Sequence, residues 1–124
     1  MIYNSENKIS DLKYHIIKDF KELIPDIEKD IETTSEFNPV FNTWIEEGRL
    51  LGYMGVVRTD EYIFCSYTKV FNRKIYKMMY AFFKDLYKEA ECSDRALLTD
   101  GTNFAHCKNH VTPYKDTALF QWKL

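Results

Sequence analysis

The 124-residue sequence has few of the residues that break regular structure or cross-link chains: four glycines, three prolines and three cysteines. No stretch rich in glycine, proline or serine divides the chain, and no internal repeat is visible, which excludes a linker between modules and a repeat architecture. Because a chain this short supports one hydrophobic core, we predict a single domain over residues 1–124. Residues 1–10 are expected to form a loose N-terminal segment.

Long apolar runs and an excess of positive charge are also missing. The longest apolar runs, such as Tyr62–Cys65 and Met78–Phe83, are far shorter than the roughly 20 residues that span a bilayer. The first ten residues contain no apolar region of the kind found in secretion signals. With 17 basic and 19 acidic residues the net charge is -2, so no global field attracts nucleic acid. These absences predict a cytoplasmic protein with no membrane partner, and they disfavour a nucleic-acid partner except through a local basic patch.

The three cysteines, Cys65, Cys92 and Cys107, are odd in number and form no CxxC motif, which is typical of free thiols in a reducing compartment. His106 and His110 flank Cys107 at a spacing of i and i+4, which could place metal ligands on one helical face. A complete site would still need Cys92 or an unspecified carboxylate. We therefore interpret these residues as a polar helix face and predict no metal.

Aromatic residues, by contrast, are plentiful. Nine Phe, nine Tyr and two Trp supply enough bulky side chains for a substantial core. The hydrophobic pattern predicts nine elements in the order β, α, β, β, β, α, β, α, β. The predicted strands are Tyr14–Ile17, Thr43–Glu46, Arg49–Arg58, Tyr62–Val70, Arg95–Thr99 and Asp116–Leu124. Both faces of Tyr62–Val70 carry apolar groups near its start, which predicts a central strand.

Three helices are predicted between these strands. The first begins at an Asp19 N-cap, is kinked or restarted by Pro25 and ends near Thr33–Ser35. The second runs from an Asn72 N-cap to Ala90, and a short third helix covers Thr102–His110. At 100° per residue, the second helix buries one apolar face, presents a basic face and carries tyrosines between them. These three sets are Ile75, Met78, Met79, Phe82 and Leu86; Arg73, Lys77, Lys84 and Lys88; and Tyr76, Tyr80 and Tyr87.

The order of the later elements resembles the fold of the GNAT acetyltransferases. The best local match is Leu97–Ala105, which looks like the family's fifth strand running into a helix start of the Asn-x-x-Ala type. The chain is also similar to small GNAT-like proteins of short-tailed bacteriophages, some of which are virion or head-assembly components. The resemblance implies an α/β (α+β) fold with a mixed, mostly antiparallel central sheet flanked by helices.

The resemblance also shows a departure from the family pattern. GNAT enzymes grip the cofactor pyrophosphate with a loop of the type Q/R-x-x-G-x-G/A before the long helix, where glycine lets backbone N–H groups approach phosphate. The corresponding segment here, Lys69–Ile75, contains no glycine. We therefore expect no cofactor. If acetyl-CoA does bind, the resemblance implies that Asn72, Arg73 and Lys74 contact its phosphates.

Three residues are candidates for the catalytic roles. Acetyl transfer needs a base for the amine and a proton donor for the thiolate, and GNAT enzymes often take these from a Glu on the middle strands and a Tyr or Ser on the short helix. Glu46 and Glu47 match the first role by position, although the same residues also suit a solvated turn before Gly48. Tyr114, which follows the predicted short helix, is a candidate for the second role.

The tyrosine-rich flank of the long helix is a candidate protein-binding surface, with a solvated helix face as the ordinary alternative. Its residues are Tyr76, Lys77, Tyr80, Lys84 and Tyr87.

The first hypothesis for the function of the chain is a non-catalytic phage-type binding or virion/head-assembly component. It would be located in the host cytoplasm or the virion, with a phage or host protein as its partner. The alternatives are an N-acetyltransferase that uses acetyl-CoA through a non-standard phosphate grip, and a phage effector that disables a host protein.

Overall fold

The computed structural model describes residues 1–35, 39–99, 111–117 and 119–123, which form a seven-stranded sheet with helices packed on its faces. The helices are α1 (Ile9–Asp19), α2 (Ile24–Ser35) and α3 (Tyr76–Cys92), and short 3-10 turns precede α2 and α3 at Lys21–Leu23 and Arg73–Ile75. The strands are β1 (Ile2–Asn7), β2 (Val40–Glu46), β3 (Arg49–Arg58), β4 (Tyr62–Val70), β5 (Ala96–Thr99), β6 (Val111–Pro113) and β7 (Phe120–Trp122).

The strands lie in the order β1-β2-β3-β4-β5-β7-β6, which places β4 in the middle as predicted. Among the described strands, β4 and β5 form the one parallel pair, and α3 makes the crossover that such a pair requires. The sheet is thus mixed, mostly antiparallel and flanked by helices. The predicted fold class is confirmed.

Each face of the sheet supports its own hydrophobic cluster. α3 packs on one face through Met79, Phe83 and Leu86, against a cluster that includes Trp44. α1 and α2 cover the other face with a second cluster, formed by Leu12, Ile16, Ile27, Phe41, Leu50 and Tyr53. Because both faces are covered, every residue of β3 from Leu50 to Val57 is buried. Among the described residues, no helix combines the length and apolar character needed to cross a membrane.

The N-terminal predictions need correction. The predicted strand Tyr14–Ile17 is wrong, because it lies inside α1, where Leu12 and Ile16 are buried one helical turn apart. Residues 1–10 are not loose, since β1 pairs with β2 along its whole length.

Asp19 ends α1 rather than capping the next helix, and its Oδ2 accepts a hydrogen bond from the Leu50 N–H at 2.9 Å. The restart at Pro25 is confirmed, because Pro25 lies in the first turn of α2.

The α3 predictions are partly confirmed. Asn72 acts as a cap, since its Oδ1 accepts the Lys74 N–H at 3.0 Å, but it caps the 3-10 turn Arg73–Ile75, and α3 itself begins at Tyr76. The predicted apolar face is wrong at Met78, which is 37 % exposed, while Phe83 is buried instead. The buried residues are Ile75, Met79, Phe83, Leu86 and Ala90, at spacings of four, four, three and four residues. The centre of the buried face therefore lies at a different angle around the helix axis from the centre of the predicted face. Phe82 packs at its margin, edge-to-face with Trp44.

The C-terminal part differs from the prediction in two ways. The predicted strand Asp116–Leu124 is shorter, because residues 114–117 form a turn and β7 begins at Phe120. β6 has no counterpart among the predicted elements, since its three residues are too few to give a clear hydrophobic alternation. The predicted helix Thr102–His110, with His106, Cys107 and His110, lies outside the described residues.

A charged cluster joins the C-terminal half of α3 to the sheet. The Arg58 guanidinium, at the end of β3, donates to both carboxylate oxygens of Glu89, at 2.8 and 3.3 Å. Arg95 donates to the same carboxylate at 3.2 Å. The hydrogen bond from Arg58, aided by both positive charges, holds the pKa of Glu89 below its usual value of 4.5.

This cluster predicts a pH-dependent contribution to stability. A lowered carboxylate pKa stabilises the fold above about pH 4.5, and that stabilisation is lost as the pH falls through the lowered value. Because the Glu89 side chain is 39 % exposed, we expect Glu89→Gln to cost no more than about 1 kcal/mol at pH 7. Urea unfolding at pH 7 and at a pH below the lowered pKa of Glu89 measures the difference, which should vanish at the lower pH. Glu91→Gln, an exposed change on the same helix, is the control, and an equal loss at both pH values would contradict the prediction.

Candidate functional site

The candidate site lies at the carboxyl ends of β4 and β5, where the crossover helix α3 begins. Ligands of sheets with parallel strands bind outside these ends, where strand order changes direction. β5 pairs with β4 as far as Thr99 opposite Cys65, and β4 then continues to Val70 with no described partner on that side. The two strands therefore stop pairing five residues before β4 ends.

A bulge lies in this free part of β4. Ser66 is opposite Gly55 and Lys69 is opposite Tyr53, so two residues of β4 occupy the space opposite Met54 alone. One extra residue in one strand defines a β-bulge, which bends the strand and interrupts the ladder. The interruption falls where β4 has stopped pairing with β5.

The connection from β4 to α3 is bonded internally. The N–H groups of Phe71 and Asn72 both donate to the Leu51 carbonyl, at 2.9 and 3.1 Å. The Lys74 N–H donates to the Asn72 side chain, and the Ile75 N–H donates to the Asn72 carbonyl at 3.3 Å. Four of the five consecutive backbone N–H groups from Phe71 to Ile75, all but that of Arg73, are therefore already bonded before α3 begins.

The two cations predicted at this helix start are exposed but differ in their contacts. Lys74 forms an ion pair with Glu46, at the end of β2. Arg73 makes no ion pair with any described residue. The Lys74 hydrogen bond is the main reason that the pKa of Glu46 lies below its usual value of 4.5. A predicted catalytic residue and a predicted cofactor-binding residue are thus bonded to each other.

The structure does not bring the three catalytic candidates together. Glu47 is exposed in the turn after β2, with a φ of 51°. Tyr114 follows β6, and Pro113 of β6 pairs through Phe120 with the end of β5. Five strand spacings separate β2 from β6, which corresponds to roughly 24 Å at about 4.8 Å per strand. Glu46 and Tyr114 therefore cannot act on one reacting group.

Two of the three candidate tyrosines are clearly exposed. Tyr76 and Tyr80 are 54 % and 52 % exposed, one helical turn apart. The Lys84 ammonium lies 4.6 Å from the centre of the Tyr80 ring, a cation–π contact. Lys77 is also exposed, whereas Tyr87 is half-buried and packs against the core beneath α3. The candidate surface, which we call the tyrosine surface, therefore consists of Tyr76, Lys77, Tyr80 and Lys84.

Metal and thiol chemistry have no support in the part of the chain that the structure describes. No group of three or more His, Cys, Asp or Glu residues is placed to hold a metal there. Burial raises the pKa of the Cys65 thiol to about 12, so it does not provide a thiolate at neutral pH. Cys92 is exposed at the end of α3.

A cleft that sequence reasoning missed lies beside the candidate site. It has a volume of about 350 Å³ and lies between the end of α1, the start of β3 and the β4–α3 connection. Lys18 and Arg49 lie at its edge, about thirty residues apart in the chain. No local motif marks residues that only folding brings together, so the sequence gives no signal for this cleft.

Known proteins provide the context for this arrangement. The sequence significantly matches no model of a known protein family and no curated protein. The structure, however, is similar to an acetyltransferase of the GNAT family from Staphylococcus aureus Mu50, with a TM-score of 0.57 and 13 % identity over 99 % of this chain and 98 % of that one. The chain has the GNAT fold. Ard1 from Thermoplasma volcanium aligns over 95 % of this chain and 93 % of its own, with a TM-score of 0.45 and 10 % identity.

The GNAT-fold comparison concerns the fold alone at this level of identity. It confirms the expected sheet flanked by helices. The phage relatives, the binding partner and the use of acetyl-CoA stay predictions.

The position of the β4–α3 connection depends on the absence of a side chain at Gly52. A Cβ atom there would lie 2.5 Å from Ile75 Cδ1 and 2.7 Å from the Lys69 carbonyl oxygen. We expect Gly52→Ala to destabilise the protein by about 1 to 3 kcal/mol through overpacking, measured by urea unfolding. Adding Ile75→Val should recover only part of the loss, because the backbone oxygen still obstructs the new methyl group. A Gly52→Ala protein within about 0.5 kcal/mol of the parent would contradict this account.

Proposed function

We propose that this GNAT-fold chain is a non-catalytic binding protein that acts by contacting another protein rather than by transferring an acetyl group. The observation that carries the proposal is the bonding of the β4–α3 connection, whose Phe71, Asn72 and Lys74 N–H groups already have acceptors. A pyrophosphate at this helix start would need such groups as donors. Binding it in the usual way would first require these hydrogen bonds to break.

The missing glycines support the same proposal. Backbone N–H groups reach a phosphate most closely where no Cβ atom intervenes, and residues 69–75 all carry side chains. Glu46 adds a second argument, because a carboxylate whose pKa is lowered by Lys74 is a weaker base for an amine than an ordinary carboxylate. Both the cofactor grip and the base are therefore unfavourable for acetyl transfer.

The tyrosine surface supports protein binding. Tyrosine rings have a large apolar area and a polar end, and they are enriched at the centres of protein interfaces. Tyr76 and Tyr80 present such rings to solvent beside the exposed Lys77 and Lys84. A partner with an apolar patch edged by carboxylates would complement both the rings and the ammonium groups.

The kind of partner follows from the sequence resemblance to GNAT-like proteins of short-tailed bacteriophages. On that basis, we propose that the chain is a phage-type component of the virion or of head assembly. It would act in the host cytoplasm or within the particle and bind a phage or host protein.

The second candidate function is acetyl-CoA-dependent N-acetyltransfer. The favouring observation is the fold itself, which is similar over nearly the whole chain to a GNAT-family acetyltransferase. In this alternative, Arg73 and Lys74 replace the missing amide contacts by charge-assisted hydrogen bonds to phosphate. Lys74 would have to leave Glu46 to do so.

Calorimetric titration with acetyl-CoA tests the choice between the two functions. We expect no binding tighter than about 1 mM, equivalent to roughly -4 kcal/mol, because the backbone donors are already bonded. Glu46→Gln, which frees Lys74 from its ion pair, should not create binding. Arg73→Glu and a comparison of low and high salt identify any binding that depends on charge.

The contrary result is equally specific. If the parent protein binds acetyl-CoA in the micromolar range, high salt weakens the binding and Arg73→Glu abolishes it, the non-catalytic proposal fails. The acetyltransferase alternative then takes its place. An unchanged thermal unfolding curve for each variant shows that the fold is intact.

The tyrosine surface has its own test. The double change Tyr76→Ala and Tyr80→Ala should leave the free energy of unfolding within about 1 kcal/mol of the parent, because both rings are exposed. The same change should abolish co-purification of a phage or host protein from infected cells. Tyr3→Ala is the matched control, since Tyr3 is 62 % exposed on β1 and lies outside this surface. Retained capture by the double variant, or its loss in the control as well, would contradict the assignment.

A further inference from the structure

The cleft beside the β4–α3 connection has the composition of a ligand site. Its volume of about 350 Å³ lies within the range of roughly 300 to 1,000 Å³ that is common for small-molecule pockets. Such pockets combine apolar walls with a few polar groups. This cleft does the same, and its lining consists of Lys18, Asp19, Phe20, Arg49, Leu50, Leu51, Phe71 and Asn72.

The apolar wall of the cleft is aromatic. The rings of Phe20 and Phe71 stack with 3.8 Å between their centres and 17° between their planes. Both residues are half-buried, and they pack against the cluster beneath α1 and α2. Such a pair favours an aromatic ligand ring, which can pack edge-to-face against both rings or stack on the outer face of one of them.

The edge of the cleft carries uncompensated positive charge. Lys18 donates from its ammonium group to the Gly48 carbonyl at 2.8 Å, which brings it next to Arg49. Neither cation forms an ion pair with a described residue. Asp19 is the one carboxylate in the lining, and it accepts the Leu50 N–H at 2.9 Å. Two cations and one carboxylate leave the lining with a net positive charge.

We propose that this cleft binds a flat ring that carries an oxyanion, either a phosphate or a carboxylate. The ring would pack against Phe20 and Phe71, and the oxyanion would accept charge-assisted hydrogen bonds from Arg49 and Lys18. Because the cleft is formed by α1, β3 and the β4–α3 connection, it is distinct from the tyrosine surface on α3. The proposal stands whether the chain is a binding protein or an acetyltransferase.

Titration with two probes tests the site and identifies the oxyanion. Phenyl phosphate and benzoate are added separately to the 15N-labelled protein, and the shifts of backbone amide signals are followed. We expect at least one of them to bind saturably and to shift the amides of Leu50, Leu51 and Asn72. The probe that binds more tightly identifies the oxyanion. Phenol and inorganic phosphate, which supply the ring and the anion alone, should each bind at least tenfold more weakly.

Variants then locate the contacts. Arg49→Glu should weaken the preferred probe at least tenfold, whereas Lys88→Glu, the same charge change on the exposed side of α3, should leave its affinity within twofold. Phe20→Leu keeps an apolar side chain but removes one ring of the stack, and it should weaken the probe severalfold.

Three results would overturn the proposal. The first is the absence of saturation by either probe up to about 20 mM, well above the millimolar affinity expected of a weak single-ring ligand. The second is a set of shifted amides away from the cleft. The third is an equal loss of affinity in Arg49→Glu and Lys88→Glu, provided that both variants keep the parent unfolding temperature.

Discussion

The rest of the structure depends on the junction between β3 and the β4–α3 connection, which the Leu51 carbonyl oxygen holds together. Leu51 is an extra residue in β3, between Leu50 opposite Ile45 and Gly52 opposite Trp44, and its oxygen accepts both N–H groups that follow β4. Gly52, the next residue, lacks the Cβ that would obstruct the approach of the chain. This junction decides where β4 ends and in which direction α3 leaves, and hence which helical face reaches the core.

The same junction supports the proposed non-catalytic function. Donors that hold the α3 start against β3 are not free to hold a phosphate, so structural anchoring and cofactor binding compete for the same N–H groups. The same competition applies to side chains, because Lys74 forms an ion pair with Glu46 instead of contacting a ligand phosphate. Arg73, and Lys18 and Arg49 at the neighbouring cleft, form no ion pair with a described residue.

The sequence predicted the central strands well and the N-terminal helix badly, for opposite physical reasons. Arg49–Arg58 and Tyr62–Val70 match β3 and β4 at both ends, because each apolar run is bounded by turn residues and its burial agrees with its local preference. Tyr14–Ile17 is β-prone in isolation, yet burial of residues one helical turn apart overrides that preference. The candidate site was predicted only in part. The absence of glycine from the β4–α3 connection can be read from the sequence, whereas the acceptors that bond its N–H groups cannot.

By itself, the sequence determined the order of the central elements, the Asn72 cap, the absence of glycine before α3 and the tyrosines along that helix. These features are local, since each depends on residues within a few positions of one another. Only the tertiary structure decided that Lys74 meets Glu46, and that Lys18 lies beside Arg49. Such contacts join segments about thirty residues apart, and strand register and helix packing fix them, because no local preference specifies which distant segment a side chain will meet.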